Sequence, residues 1–332
     1  MRATIPIGPA KWLEGVLVGF YETTSSVELL FCLALVGVVV IAVATQRRKE
    51  NDSFNSKRES VSDYGLNSDR QTITDIQAME FGETNNWELD HLSEITDLQA
   101  ELLIKCRSRC LKLSGLSHIT DSQARSFGKL DAISLDGLTA ISDVKAEYLS
   151  QCGNVQLNGL TSISEAQAES LGKCRSVMLL GLSTIGDKQA ESLGRCKELY
   201  LSGLTSLSDK QAAFLGRCPT LDLSGLTSIS DKQAESFGRC QWLDLSGLKS
   251  ITNSQANSLG SCTWIWLNGL TSINDFQAQA FSKCEGLGLE GLKTLTDRQA
   301  KSIWMINDLC LTEGTQASAL VRKHANGTST DR

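Results

Sequence analysis

The feature that most constrains the fold of this chain is a glycine that recurs every 22 residues. Nine Gly-Leu pairs keep this spacing, from Gly115-Leu116 to Gly291-Leu292. One complete unit, residues 221–242, has the sequence LDLSGLTSISDKQAESFGRCQW. A unit this short cannot bury an apolar face alone, so its neighbours must stack on it. We count eleven units between residues 72 and 311, which predicts a solenoid.

Each unit changes its hydrophobic period once, and this change predicts one strand followed by one helix. In the unit above, Leu221-Asp222-Leu223 alternates apolar and polar residues as a short strand does. Gly225 then marks a backbone that disfavours a side chain. Ser230 and Gln233 form a capping box, which starts a helix of about two turns. Gly238 is placed to end that helix in a left-handed conformation.

The capping box recurs along the array, so helix starts explain the recurrent Asp and Gln side chains better than a catalytic site does. Asn274/Gln277 is a variant of the box, and Ser142/Lys145 and Gly186/Gln189 depart from it. The regular boxes are Thr74/Gln77, Thr96/Gln99, Thr120/Gln123, Ser164/Gln167, Ser208/Gln211, Ser230/Gln233, Thr252/Gln255 and Thr296/Gln299.

The repeat pattern L-x-L-x-G-L-x-x-[IL]-[ST]-D-x-Q-A resembles leucine-rich repeats, most closely bacterial ones, over about residues 72–311. The resemblance implies an α/β fold, a right-handed solenoid of about eleven strand-helix units. It also implies a parallel sheet on one face, helices on the other and a ligand-binding surface on the strand side. One departure is that Leu248 stands where the family motif has Asn or Cys. An asparagine ladder is therefore not expected, and the turn geometry should differ.

Residues 27–46 are predicted to form a transmembrane helix, which follows an N-terminal segment, 1–26. Leu29–Gln46 contains no charged residue and would be roughly 27 Å long as a helix, enough to span a bilayer core. A buried core helix is one alternative. A signal peptide cleaved after Ala42-Val43-Ala44 is another. Because Arg47-Arg48-Lys49 follows the apolar run, the repeats are expected on the cytoplasmic side of a single-pass membrane anchor.

Two polar segments flank the repeats. Residues 47–71 have few aliphatic side chains and are predicted to be a flexible linker. Residues 312–332 are predicted to be a disordered tail for the same reason. Asn326-Gly327-Thr328 in this tail matches a glycosylation sequon, but a lone tripeptide is weak evidence.

Cysteines recur at one position of the repeat and are expected to be buried thiols. A metal site needs ligands that converge on one point, whereas this spacing puts each cysteine on a different coil. Occasional disulfides and a metal site remain weaker alternatives, and no cofactor or metal is predicted. Buried free thiols also suit a reducing compartment. The seven are Cys152, Cys174, Cys196, Cys218, Cys240, Cys262 and Cys284.

No set of residues with catalytic spacing is present, so we expect no enzymatic activity. The three histidines fall at unrelated repeat positions, and no nucleophile, metalloprotease or phosphate-loop motif occurs. The formal net charge is −6, whereas a nucleic-acid-binding protein normally has a basic face. Nucleic acid is therefore not an expected partner.

Large aromatic residues at outward strand positions are the candidate binding residues. A regular solenoid does not require them, and aromatic side chains are common anchors of protein interfaces. With their acidic neighbours they predict a protein or peptide partner, possibly a basic one. The alternative is a structural or self-assembling solenoid of the cell envelope without a specific ligand, in which the aromatics only cover the sheet. The candidate residues are Tyr200, Asp222, Trp242, Asp244, Trp264 and Trp266.

Overall fold

The computed structural model describes residues 72–83, 88–105 and 109–327, in which short helices and strands alternate. The predicted segments 1–26, 27–46 and 47–71 lie outside the described residues. Among the described helices, none is long and apolar enough to cross a membrane. The elements are α1 (Asp75–Glu83), α2 (Asp97–Leu103), β1 (Cys110–Lys112), α3 (Asp121–Phe127), β2 (Ala132–Ser134), α4 (Asp143–Leu149), β3 (Asn154–Gln156), α5 (Glu165–Leu171), β4 (Ser176–Met178), α6 (Asp187–Leu193), β5 (Glu198–Tyr200), α7 (Asp209–Leu215), β6 (Thr220–Asp222), α8 (Asp231–Phe237), β7 (Trp242–Asp244), α9 (Asn253–Leu259), β8 (Trp264–Trp266), α10 (Asp275–Phe281), β9 (Gly286–Gly288), α11 (Asp297–Ile303), β10 (Asp308–Cys310) and α12 (Gln316–Gly327).

The ten strands form one parallel sheet in which each strand pairs with its sequence neighbours, in the order β1 to β10. From β1 to β10, paired residues are 22 positions apart, as between Leu221 and Leu243. The predicted parallel solenoid is confirmed, with eleven helices in the repeats. Eleven strands were expected; at the position of the additional one, Glu88 forms a parallel bridge with Lys112, and residues 84–87 before it lie outside the described residues.

The core lies between the sheet and the helices. In the unit of β6 and α8, the inward residues Leu221, Leu223 and Leu226 are buried, as are Ala234 and Phe237 on the helix. Every coil contributes the same set, so stacking produces one continuous apolar column. Isolated helices of seven residues are marginal in water, and this column is what stabilises them.

The capping boxes form as expected, and their glutamines also join successive coils. The Ser230 hydroxyl accepts a hydrogen bond from the Gln233 amide, and Gln233 Oε1 accepts one from the Ser230 amide. Gln233 Nε2 then donates to the carbonyl of Leu207 on the preceding coil, at 2.7 Å. Equivalent bonds between coils recur from Gln99 to Gln299. Each glutamine side chain is therefore both a helix cap and a link between two coils.

The recurrent glycines are required by close backbone approach. Gly238 has a φ of −59°, so the predicted left-handed helix end is wrong. A Cβ at this position would overlap the carbonyl oxygen of Ser258 on the next coil. Gly225 is crowded in the same way, because a Cβ there would overlap the Ser202 oxygen and lie 2.7 Å from that of Leu204. Glycine at these places lets the coils stack closely.

The cysteine column is buried, as expected from its repeat position. The side chains of all seven are at most 4% exposed. The Cys218 thiol donates to the Thr220 carbonyl oxygen at 3.0 Å. Burial raises the pKa of the Cys218 thiol to about 12, so it stays protonated at neutral pH. The thiols act as small apolar side chains with a weak hydrogen-bond donor.

The predicted disordered tail is wrong for Gln316–Gly327, which form α12. The Gln316 side chain accepts a hydrogen bond from the Leu295 amide and donates one to the Leu295 carbonyl, at 2.8 and 3.0 Å. Ala317 is fully buried. This Gln-Ala pair follows Gln299-Ala300 by 17 residues instead of 22, so a search at the repeat period misses it. The helix covers the C-terminal coil.

Candidate binding surface

The outward residues of the strands form two columns across the sheet. In β5 to β8, the first and third residues of each strand point outward, and the second is buried in the core. In the first-residue column, Trp242 pairs with Trp264, and Trp264 pairs with Gly286. In the third-residue column, Asp222 pairs with Asp244, which pairs with Trp266. The candidate residues therefore lie side by side on one face, while their role in binding remains a prediction.

Two of the tryptophans lie across the neighbouring strand instead of standing upright. A Cβ on Gly286 would overlap Cε3 of Trp264, and a Cβ on Gly288 would overlap Cε3 of Trp266. The two indole rings therefore occupy the space that side chains of β9 would otherwise fill. Both tryptophans stay partly exposed. We call Trp242, Trp264 and Trp266, with Asp222 and Asp244 beside them, the aromatic shelf.

The two aspartates of the shelf also stabilise the turn after their strands. Asp222 Oδ1 accepts a hydrogen bond from the Ser224 amide, and Asp244 Oδ1 accepts one from the Ser246 amide, each at 2.8 Å. Burial raises the pKa of Asp244, hydrogen bonding from Ser246 opposes this shift, and the charge of Asp222 adds to it. A cation placed beside Asp244 would stabilise its charged carboxylate and so lower its pKa.

Tyr200 and Trp266 occupy the two ends of the acidic part of the column. Tyr200 pairs with Asp222 on the next strand, and burial followed by the Glu198 and Asp222 charges raises its pKa. The Trp266 Nε1 atom is buried and has no hydrogen-bond partner within the described residues. Such an unpaired N–H costs about 1–3 kcal/mol, which phenylalanine at this position would avoid.

The strand face is acidic in its C-terminal part. The strands from β5 to β10 carry no lysine or arginine, and their outward carboxylates are Glu198, Asp222, Asp244 and Asp308. Glu198 is paired with Arg175 at 3.4 Å, so its charge is already compensated. The outward carboxylates without an ion pair among the described residues are therefore Asp222, Asp244 and Asp308, and the first two lie side by side at the border of the indole rings.

A shallow hollow of about 340 Å³ lies over β2 to β5, on the same face. Its outward residues are small or polar: Ala132, Asn154, Gln156 and Ser176, with Met178 beside them. The Arg175–Glu198 ion pair forms one wall. We call this region the amide hollow, because the side-chain amides of Asn154 and Gln156 make no hydrogen bond within the described residues. The capping glutamines, by contrast, use both amide atoms.

Sequence reasoning missed three parts of this surface. Gly286 and Gly288 were not selected, although two glycines in outward strand positions are a readable signal. The hollow was missed because its residues are individually unremarkable in size. Two asparagine bonds between coils were also missed: Asn158 Oδ1 accepts from the Leu180 amide and Asn268 Oδ1 from the Glu290 amide, both at 3.2 Å. In the coils of Asp222 and Asp244, those aspartates supply the turn bond instead.

Comparisons with known proteins find similarity in structure only. No family model matches the chain, and no curated protein sequence matches it. Among solved structures, the leucine-rich repeat-containing protein LegL7 from Legionella pneumophila has a TM-score of 0.51 and 13% identity. The match covers 77% of this chain and 96% of LegL7. The fold is that of leucine-rich-repeat proteins.

Two further solved structures match with lower TM-scores. An internalin, inlF from Listeria monocytogenes, has a TM-score of 0.47 and 14% identity, and the match covers 72% of this chain and 76% of the internalin. A TLR13–ssRNA13 complex has a TM-score of 0.48 and 15% identity. That match covers 69% of this chain and only 37% of the TLR13 chain. At these identities the similarity concerns the fold alone.

Proposed function

We propose that this protein is a membrane-anchored leucine-rich-repeat scaffold that binds a protein or peptide through its strand face. The ligand carries a basic group, which lies at Asp222 and Asp244 against the indole rings. The observation that carries this proposal is the aromatic shelf itself. Three tryptophans share one face, and two of them lie over glycines that leave room for their rings.

The chemistry of the shelf suits a ligand with an apolar body and a cationic end. An ammonium or guanidinium group over an indole face gains about 0.5–2 kcal/mol, more when water is excluded. Carboxylates beside the ring add attraction and favour correct orientation. Because the rings of Trp264 and Trp266 already lie against β9, little side-chain freedom remains to be lost on binding, which favours affinity.

The proposal is tested with the full chain by affinity capture of binding partners and by thermal melting. Trp264→Ala removes an anchor, and an anchor residue typically contributes about 2 kcal/mol, roughly 30-fold in affinity. We expect most binding to be lost while the melting temperature changes little. Trp304→Ala, at the C-terminal end of α11, is the matched control and should leave binding intact.

A second variant separates ring placement from apolar area. Gly286→Ala keeps Trp264 but forces its ring off β9, so we expect weakened binding with an intact shelf composition. Unfolding by Trp264→Ala would mean that the residue belongs to the core. Unchanged stability together with unchanged partners in both shelf variants would favour the structural, self-assembling alternative.

Membrane anchoring rests on Leu29–Gln46 and the basic residues that follow it. We place the repeats on the cytoplasmic side, so protease added to intact cells should leave them uncut. A mature N-terminus at Thr45, or digestion of the repeats in intact cells, would contradict this topology.

A further inference from the structure

The amide hollow and the aromatic shelf lie on one uninterrupted column of outward residues. The third-residue column runs from Gln156 through Met178 and Tyr200 to Asp222 and Asp244. The hollow is centred between β3 and β4, and the two aspartates lie on β6 and β7. Three strand spacings separate these centres, which is about 14 Å. Two features on one column can be contacted by one ligand chain that crosses the strands.

The hollow has the properties of a site for a peptide group and a large side chain. The amides of Asn154 and Gln156 offer both donors and acceptors, as a peptide backbone requires. Met178 adds a polarisable side chain that adapts to aromatic rings. The charges of Arg175 and Glu198 already compensate each other, so a charged group of the ligand would gain little in the hollow. These features favour an aromatic residue of the ligand and its adjoining backbone.

We propose that the ligand is an extended peptide segment with an aromatic residue and a lysine or arginine about four residues apart. The separation follows from the 14 Å between the two centres and about 3.3 Å per extended residue. The aromatic residue fills the amide hollow, and the basic residue lies between Asp222 and Asp244 against the indoles. This inference rests on the proposed function, because it specifies the ligand of the same face.

The inference is tested by fluorescence anisotropy with labelled serine-glycine peptides and the full chain. Each peptide carries one phenylalanine and one arginine, and their separation varies from adjacent to about nine residues. We expect affinity to peak at about four residues. The double variant Asn154→Ala/Gln156→Ala should lower the peak about tenfold and leave a peptide with arginine alone unaffected. Asn257→Ala, an exposed amide on α9, should change nothing.

The outcomes separate this inference from the proposed function. Affinity that depends on Trp264 but not on residue separation would overturn the two-point ligand and retain a binding shelf. An affinity peak that survives loss of both amides would also overturn the role of the hollow. If none of the arginine peptides responds to Trp264→Ala, the proposed function itself fails.

Discussion

The helix-start edge and the strand face are both built from outward polar positions, yet they use them differently. At the helix starts, Ser230 donates to Asp209 of the preceding coil at 2.6 Å, and Gln233 bonds to two coils. Such residues recur with the period, and their polar atoms are paired. On the strand face, outward residues change from coil to coil, and the side-chain amides of Asn154 and Gln156 have no hydrogen-bond partner in the part of the chain that the structure describes. In this solenoid, residues that recur in every repeat hold the coils together, and residues that differ between repeats are the ones available to a ligand.

The largest expected effect concerns the regular turn glycine. Gly225→Ala places a Cβ against the backbone oxygens of Ser202 and Leu204, neither of which can rotate away. We expect a loss of about 3 kcal/mol or more in unfolding free energy. The measurement is chemical denaturation of the full chain.

Gly186→Ser is the matched glycine substitution, because its Cβ would meet only the Gln189 side chain at 3.4 Å. It creates the helix cap that other coils have, so stability should rise by a few tenths of a kcal/mol. Equal losses of unfolding free energy in Gly225→Ala and Gly186→Ser would mean that the recurrent glycine is no more important for stability than the isolated one.

The second effect concerns the glutamine that links coils. Gln233→Ala leaves the Ser230 amide and the Leu207 carbonyl without their partners. Because Gln233 is itself buried, we expect a loss of about 2–3 kcal/mol in the same denaturation experiment. Ligand binding by the folded variant should be unchanged. Lys232→Ala, exposed on the same helix, should stay within about 0.5 kcal/mol of wild type.

The sequence predicted the regular part of the molecule and missed what depends on contacts between coils. Strand, turn and capped helix follow from local pattern, so Ser230/Gln233 was placed correctly and the strand predicted at Leu221–Leu223 is found one residue earlier, at Thr220–Asp222. The second bond of Gln233, to Leu207, needs the stacked neighbour and has no local signal. The same holds for Gly238, whose role is close approach to Ser258. The helix α12 was not predicted, because Gln316 does not follow the 22-residue spacing of the other capping glutamines.

For the candidate surface, the sequence predicted which residues share a face but not how they lie. Period two and the 22-residue spacing suffice to put Trp242, Trp264 and Asp244 together. Ring orientation could not be predicted, because it depends on the absence of side chains at Gly286 and Gly288 one coil further on. The turn bonds of Asp244 likewise depend on what the preceding coil can supply.

The third effect concerns the buried thiols. Cys218→Ala should lower unfolding free energy by about 1 kcal/mol at neutral pH through lost packing. The pKa of this thiol is raised by burial to about 12, so its stabilising effect is complete below the unfolded pKa near 9 and is lost as pH rises toward 12. The loss is about 1.4 kcal/mol per pH unit for each thiol. Wild type and variant should therefore reach equal stability at about pH 10. Curves that stay parallel would contradict a buried neutral thiol.

The smallest expected effect tests whether the irregular face carries charge for a ligand. Asp244→Asn keeps an oxygen that can accept from the Ser246 amide, so the turn should survive and stability should change by a few tenths of a kcal/mol. Burial raises the pKa of Asp244, so lowering the pH protonates it earlier than an ordinary aspartate. Affinity for an arginine peptide should thus be full at neutral pH and fall as pH drops through that raised pKa. The variant should bind about threefold more weakly at neutral pH and lose this part of the pH dependence.

Asp231→Asn, on α8, should keep wild-type affinity at every pH. An identical pH profile for Asp244→Asn and wild type would show that Asp244 serves the turn alone, as the regular residues do.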